Sequence, residues 1–333
     1  MDRQQFFARA KGALIGCAVG DAMGMPTEMM PWQDIEALYP DGIRTFYPTS
    51  ARDFLGRTMR AGEVTDDTIN TILLAEALIA ENGVVSAEKY VARLQAWIKA
   101  NAEKARYVAG PSTLRALQAI EAGTPLEKAG VFGRTNGAAM KMAPLGILCD
   151  WQDMTGLAGN VAQICLPTHN TGIAIAGACV VAACISYGVR GGHDLAQLWE
   201  IAAAASTEGE KYGFAFPSAS LKKRLAMVHE AVCQNEKQTV IGLLKHVYGT
   251  SEQTLETVPA ALAIVTICGG DAMEACSVSA TIGGDTDTIG AIAGAICGSM
   301  DPCFPASVID QLQAVNGIDF DALAQNLTTC ATL

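Results

Sequence analysis

Two short stretches of this sequence gather oxygen donors in the same way. Thr65-Asp66-Asp67-Thr68 stands in GEVTDDTINTI, and Asp285-Thr286-Asp287-Thr288 stands in GGDTDTIGAIAG. Each clusters Thr with Asp, is followed by Ile, and leads into an apolar, helix-like run. Asp and Thr at a helix start accept hydrogen bonds from free N–H groups and suit the positive end of the helix dipole. Capping accounts for one oxygen per helix. It does not account for the carboxylates and hydroxyls left over. If both helix starts meet in one place, their carboxylates repel one another unless cations lie between them. Hard oxygen donors of this kind suit Mg²⁺, Mn²⁺ or Ca²⁺, not zinc. A carboxylate can bridge two ions, so a pair of metals fits the pattern.

A third acidic element is Gly20-Asp21-Ala22-Met23-Gly24, with Glu28 after Pro26-Thr27. Asp21 reads first as a helix-end or packing residue, and Glu28 equally as a first-turn helix acid or as part of the acidic site. Three further segments invite a ligand reading beside a plain one. Gly133-Arg134-Thr135-Asn136-Gly137-Ala138 precedes an apolar stretch that runs through Met140. Its glycines permit close backbone approach, and free N–H groups there suit a pyrophosphate without many lysines. The plain reading is an Asn-Gly turn before a helix. Gly110-Pro111-Ser112-Thr113 opens a helix, with Ser112 or Thr113 as N-cap. His169 lies in Pro167-Thr168-His169-Asn170-Thr171, where capping explains Thr168 and Asn170 but does not ask for a histidine. His193, His229 and His246 show no partner pattern and read as surface residues.

The elements that must position these groups are helices. Apolar spacing predicts helices over 5–24, 69–81, 87–101, 113–122, 139–149, 154–165, 194–206 and 219–234, and no alternating strand series appears. Gly12, Gly16, Gly20 and Gly24 fall on one stripe of the first helix, and Gly290, Gly294 and Gly298 repeat the device. Glycine weakens a helix by about 1 kcal/mol relative to alanine, so the repetition predicts close packing of another backbone on that stripe. Residues 171–189 carry no charge and are long enough to cross a bilayer. Their Ala/Gly-rich character reads instead as a fully buried helix, and no membrane partner is expected. Residues 31–64, with Pro31, Pro40 and Pro48, form the longest irregular stretch. Loops of that length are usually functional or mobile. The overall expectation is one large all-α domain over residues 1–333.

Composition narrows the function. The 333 residues carry a formal net charge of −11 with no run of Lys or Arg. That excludes nucleic acid as the main partner, because phosphate contacts need clustered cations. Half the residues are hydrophobic but only 6% aromatic, so the core must be built from small aliphatic side chains. Eleven scattered cysteines show no CxxC pair and no zinc spacing. They read as thiols in a reducing cytoplasm. Leu14-Ile15-Gly16-Cys17 imitates a lipoprotein box, but the apolar run before it is too short for a signal peptide.

Taken in order, these segments resemble the ADP-ribosylglycohydrolase family from about residue 9 to about residue 300. GALIGCAVGDAMGMPTE is similar to the family's first motif, and TDDT and GGDTDTIG to its two metal motifs. GPSTLRAL, GRTNGAAMKMAPLG and THNTGIAIAGA are similar to its ligand-binding segments. The resemblance implies an all-α orthogonal helical fold with a binuclear Mg²⁺ or Mn²⁺ centre. It implies Thr65, Asp66 and Asp67 on one side of that centre, Asp285, Asp287 and Thr288 on the other, and Glu28 beside the metals. It also implies ligand contacts from Gly110, Ser112, Thr113, Asn136, Gly137, Ala138, Met140 and His169. Phe132 and Tyr107 are candidate adenine-stacking aromatics.

The expected reaction is hydrolysis at a ribosyl C1″, with Glu28, Asp66 and Asp67 as catalytic carboxylates. The expected substrate is an ADP-ribosylated protein side chain or a small ADP-ribosyl conjugate, acted on by a monomer. Two rivals fit the same residues. One is an N-glycosidase acting on a nucleoside or nucleotide-sugar. The other is a non-catalytic relative that binds ADP-ribose or serves a structural role.

Overall fold

The computed structural model describes residues 1–108 and 110–331, with the backbone alone for 106–108. Among the described residues there is no strand. Two isolated bridges, Thr135 with Gln253 and Thr171 with Phe214, pin loops together. The first helices are α1 (Arg3–Gly24), α2 (Trp32–Leu38), α3 (Asp66–Ala80), α4 (Ala87–Ala100), α5 (Ala102–Val108) and α6 (Pro111–Glu121). Then follow α7 (Leu126–Ala129), α8 (Ala143–Leu148), α9 (Met154–Cys165), α10 (Gly172–Val189), α11 (Leu195–Gly209) and α12 (Leu221–Gln234). The chain ends with α13 (Lys237–Leu243), α14 (Thr254–Ile267), α15 (Ala272–Thr281), α16 (Thr286–Met300), α17 (Ala306–Asn316) and α18 (Phe320–Cys330).

The all-α expectation holds, and the core is as aliphatic as the composition requires. Every residue of α10 from Ile173 to Val189 is buried, with α8, α9, α11 and α16 around it. The chargeless stretch is therefore an internal helix. It is also the one helix among the described residues long and apolar enough to cross a membrane.

The two glycine stripes pack on each other. A Cβ on Gly12, Gly16 or Gly20 of α1 would collide with the carbonyl oxygens of Gly298, Gly294 and Gly290 of α16. The order reverses along the partner, so the helices run antiparallel. Backbone rests directly on backbone along the seam, which lets many weak dispersion contacts add up. At its far end Gly24 meets Thr286 and Asp287. The seam thereby fixes where the acidic start of α16 lies relative to the end of α1.

Two expected spans differ in detail. Residues 31–64 hold a short helix, α2, behind Pro31. Pro40 bars its continuation by disfavouring helical geometry at Tyr39, and residues 39–65 are irregular. Residues 139–149 begin as a single 3₁₀ turn, Ala139–Lys141, before α8. Pro144, in the first turn of α8, has no N–H to extend a helix backwards.

Candidate metal centre and cleft

The capping oxygen for α3 comes from a different helix. Asp21, on α1, accepts hydrogen bonds from the Thr65 N–H at 3.0 Å to each carboxylate oxygen. It also accepts from the Thr68 N–H at 3.0 Å and the Thr68 hydroxyl at 2.5 Å. Thr65 itself makes no side-chain cap bond. With the first turn of α3 satisfied from outside, Asp66 and Asp67 are released from capping. The start of α16 is solved another way. Asp285 occupies the N-cap position without a side-chain cap bond. Its carboxylate accepts from the Asn136 amide, which also donates to the Thr257 hydroxyl at 2.8 Å. The Thr286 hydroxyl donates to the Gly24 carbonyl at 2.9 Å, tying α16 to the end of α1.

The acidic side chains then form two clusters with a common member. Asp21, Asp67 and Asp287 each bring one oxygen within 4.8 Å of the others, and so do Glu28, Asp285 and Asp287. Asp67 and Asp287 are 1% and 2% exposed. The Thr65 hydroxyl donates to Asp67 Oδ2 at 3.1 Å, whereas Asp67 Oδ1 is buried with no hydrogen-bond partner. An unpartnered buried carboxylate oxygen is costly. A hard cation among these oxygens is the partner that the donor set fits.

Electrostatics support the same reading. Burial, then Glu28 and Asp21, push the half-buried Asp66 up to about 8. Burial and Glu28 push Asp285 up to about 6. Burial also holds Asp67 and Asp287 well above the usual carboxylate range, with neighbouring carboxylates adding to it. So many carboxylates cannot all ionise unaided, and a cation reverses that balance.

The clusters open into a cleft of about 510 Å³. Of the residues expected to touch a ligand, Gly110, Ser112, Thr113, Asn136, Gly137, Met140 and His169 line it, together with Glu28, Asp66, Asp67, Asp285, Asp287 and Thr288. A Cβ on Gly110 would lie 3.7 Å from Asp66 Oδ2, so the start of α6 faces that carboxylate. A Cβ on Gly137 would meet the His169 ring at 2.8 Å, so glycine is required there for the histidine to reach the wall. His169 is held by Thr135 Oγ1 at 3.1 Å and Thr168 Oγ1 at 2.9 Å. Burial, with Lys141 nearby, keeps its ring neutral.

Other expected residues lie elsewhere. Thr65 and Ala138 are buried and do not reach the cleft surface. Phe132 is 70% exposed and outside the cleft. Its turn is pressed against the 166–170 loop, where a Cβ on Gly130 or Gly133 would strike Leu166 or Thr168. The ring is left facing outward. The Tyr107 side chain lies outside the described residues.

Sequence reasoning missed Arg57, Glu252 and Lys141. Arg57 and Glu252 line the cleft from irregular segments, where no periodicity marks a residue. Lys141 is buried behind it. It donates to the Gly137 carbonyl at 2.6 Å and lies 5.5 Å from the centre of the Tyr90 ring. Burial pushes it down to about 8.

The ADP-ribosylglycohydrolase family profile matches residues 2–332. The uncharacterised Escherichia coli K12 protein YegU is 35% identical over 326 residues, 96% of each chain. An uncharacterised Archaeoglobus fulgidus protein is 31% identical over 305 residues, 91% of each chain. A solved structure, an ADP-ribosylglycohydrolase-related protein complex, superposes with a TM-score of 0.73 at 23% identity. It covers 99% of this chain and 100% of its own. That likeness shows the fold.

Proposed function

We propose that this chain, which belongs to the ADP-ribosylglycohydrolase family, is a metal-dependent hydrolase that cleaves a ribosyl glycosidic bond at C1″. The substrate we infer is an ADP-ribosylated protein side chain or a small ADP-ribosyl conjugate. One observation supports this above the others. Two buried acidic clusters share Asp287, include an unpartnered Asp67 oxygen, and open into a cleft large enough for a nucleotide-sized ligand.

Asp67, Asp285, Asp287, Asp66 and Thr288 are the residues to hold two Mg²⁺ or Mn²⁺ ions, with Glu28 beside the one at Asp285 and Asp287, and Thr65 orienting Asp67. Bound there, the cations supply Lewis-acid charge that stabilises oxygen ligands and eases ionisation of water. Asp21 holds the start of α3, and Asn136 orients Asp285. Glu28, half-buried on the cleft wall, is positioned to take or give a proton at its carboxylate. The neutral His169 and the start of α6 offer polar contacts to a ribose or phosphate. Arg57, the one Lys or Arg among the described residues of the cleft lining, is already paired with Glu28 and Asp53, so an anionic ligand depends on backbone groups and cations there. Eleven free thiols fit the cytoplasm as its compartment.

The test is hydrolysis by purified protein with Mg²⁺ or Mn²⁺. The panel is ADP-ribosyl-arginine, ADP-ribosyl-serine, O-acetyl-ADP-ribose and plain nucleosides, with EDTA as control. Metal-dependent release of ADP-ribose is expected. Release of a nucleobase alone would favour a nucleoside N-glycosidase, and tight ADP-ribose binding without turnover would sink the enzymatic reading.

A further inference from the structure

Glu28 answers to two partners of opposite kind. On one side it joins Asp285 and Asp287 in an acidic cluster. On the other it accepts a hydrogen bond from Arg57 Nη1. Arg57 is anchored from the irregular segment that carries it. Asp53 Oδ1 accepts from its Nε at 3.1 Å and its Nη2 at 2.9 Å. Asp53 Oδ2 accepts from its backbone N–H at 2.7 Å, and the Met25 carbonyl accepts from Nη2 at 3.0 Å. The Arg57 and Asp53 side chains are 2% and 3% exposed. Burial alone would lower the basicity of the guanidinium, but Glu28, Asp53 and Asp287 outweigh it. A fixed positive charge is therefore built into one end of the acidic centre.

The other cluster has no such neighbour. Among the described residues no Lys or Arg forms an ion pair with Asp21 or Asp67. Asp21 is committed to the N–H groups of α3, and Asp67 Oδ1 has no partner. A cation beside Asp67 meets a carboxylate oxygen, Oδ1, that no donor occupies. A cation beside Glu28 is repelled by Arg57 and finds one Glu28 oxygen already in use. For Glu28 to turn wholly to a cation, a buried arginine must lose one of its two acidic partners, which is costly.

We propose that Arg57 is a built-in counter-ion that competes with the cation for Glu28, making Glu28–Asp285–Asp287 the weaker, exchangeable site and the Asp67 side the tight one. This rests on the metal-centre reading given above. Arg57 acts through Glu28, as a positioning residue, and the consequence falls on cation affinity first.

The experiment is Mn²⁺ titration of the full chain, followed by the electron paramagnetic resonance signal of free Mn²⁺, with the melting temperature recorded for each variant. Wild type should show two classes of site separated by about tenfold or more. Arg57→Met should tighten the weaker class by about tenfold while the tight class moves by less than about twofold. Arg57→Gln serves the same purpose if the Met variant does not melt cooperatively. Arg57→Lys keeps the charge and should keep the wild-type separation. An unchanged or loosened weak class in a folded neutral variant overturns the proposal, and so does a Lys variant that behaves like the neutral ones. Two classes in wild type with no response to Arg57 would leave the metal centre standing and remove this inference alone. No Mn²⁺ binding in wild type would overturn both.

Discussion

Asp67 and Glu28 contribute to clusters that meet at Asp287, but they reach that point on very different supports. Asp67 rides on α3, whose first turn is held by Asp21 of α1, and α1 is locked to α16 along the glycine seam. Three buried helices thus fix one arm. Glu28 follows the 3₁₀ turn Met25–Thr27 and leans on Arg57 from the irregular 39–65 segment. The contrast separates two tasks. Backbone-to-backbone packing fixes oxygens before any ligand arrives, as preorganisation requires. An arm held by an ion pair on a loop keeps a choice of partner, and Glu28, the carboxylate we propose to handle protons, is the one placed there.

Breaking the shared member gives the largest effect. Asp287→Asn should lose both classes of cation site and at least about 100-fold in turnover, since even outer-shell partners of metal ligands cost 10–100-fold. The change is nearly isosteric, so the fold should persist by circular dichroism. Tight Mn²⁺ binding in this variant would show that the clusters do not share Asp287.

The helical arm is tested through its seam. Gly20→Ala puts a methyl group into the Gly290 carbonyl, and overpacking of this kind costs about 1–3 kcal/mol. Gly242 is the matched control. It lies in α13 with nothing within 4 Å of an added Cβ. Gly242→Ala should be neutral or stabilising by up to about 1 kcal/mol. Thermal unfolding of the two variants decides the point. Equal melting temperatures would mean that the seam can relax.

The shared electrostatics predict a pH dependence of moderate size. Asp66 is pushed up to about 8 and Asp285 to about 6, against about 3.9 for an exposed aspartate. Between those limits the metal-free folded state holds protons that the unfolded chain has released. Stability therefore falls as pH rises from about 4 to about 8. Melting curves in EDTA should show this decline, and added Mg²⁺ should raise the melting temperature most at the alkaline end. A flat EDTA profile would show that the carboxylates do not crowd one another.

Both acidic motifs and both glycine stripes are local patterns, and each is legible from spacing alone. That α1 and α16 pair through those stripes is a long-range fact, although the matching four-residue spacing hints at it. Asp21 could not be read as the cap of α3, because 44 residues separate it from the Thr65 N–H it accepts. Arg57 was illegible for a similar reason, since an irregular segment carries no periodicity to say which side chain turns inward. Helix α14 gave no periodic signal either. Its residues from Thr257 to Val265 are all buried, and Pro259 lies inside it.

The smallest predicted effect concerns Phe132, which lies outside the cleft. The resemblance makes its aromatic ring a stacking candidate, yet the Gly130–Gly133 turn is held against residues 166–170 with the ring outward. Phe132→Ala should leave kcat/KM within about twofold and stability within about 0.5 kcal/mol, as for other surface substitutions. Met140→Ala, on the cleft wall, is the contrasting variant and should alter KM more. A tenfold rise in KM on removing Phe132 would mean that the turn leaves its seat when substrate binds. The preorganised part of the site would then end at Asn136, and the segment before it would belong with the adjustable arm that carries Glu28.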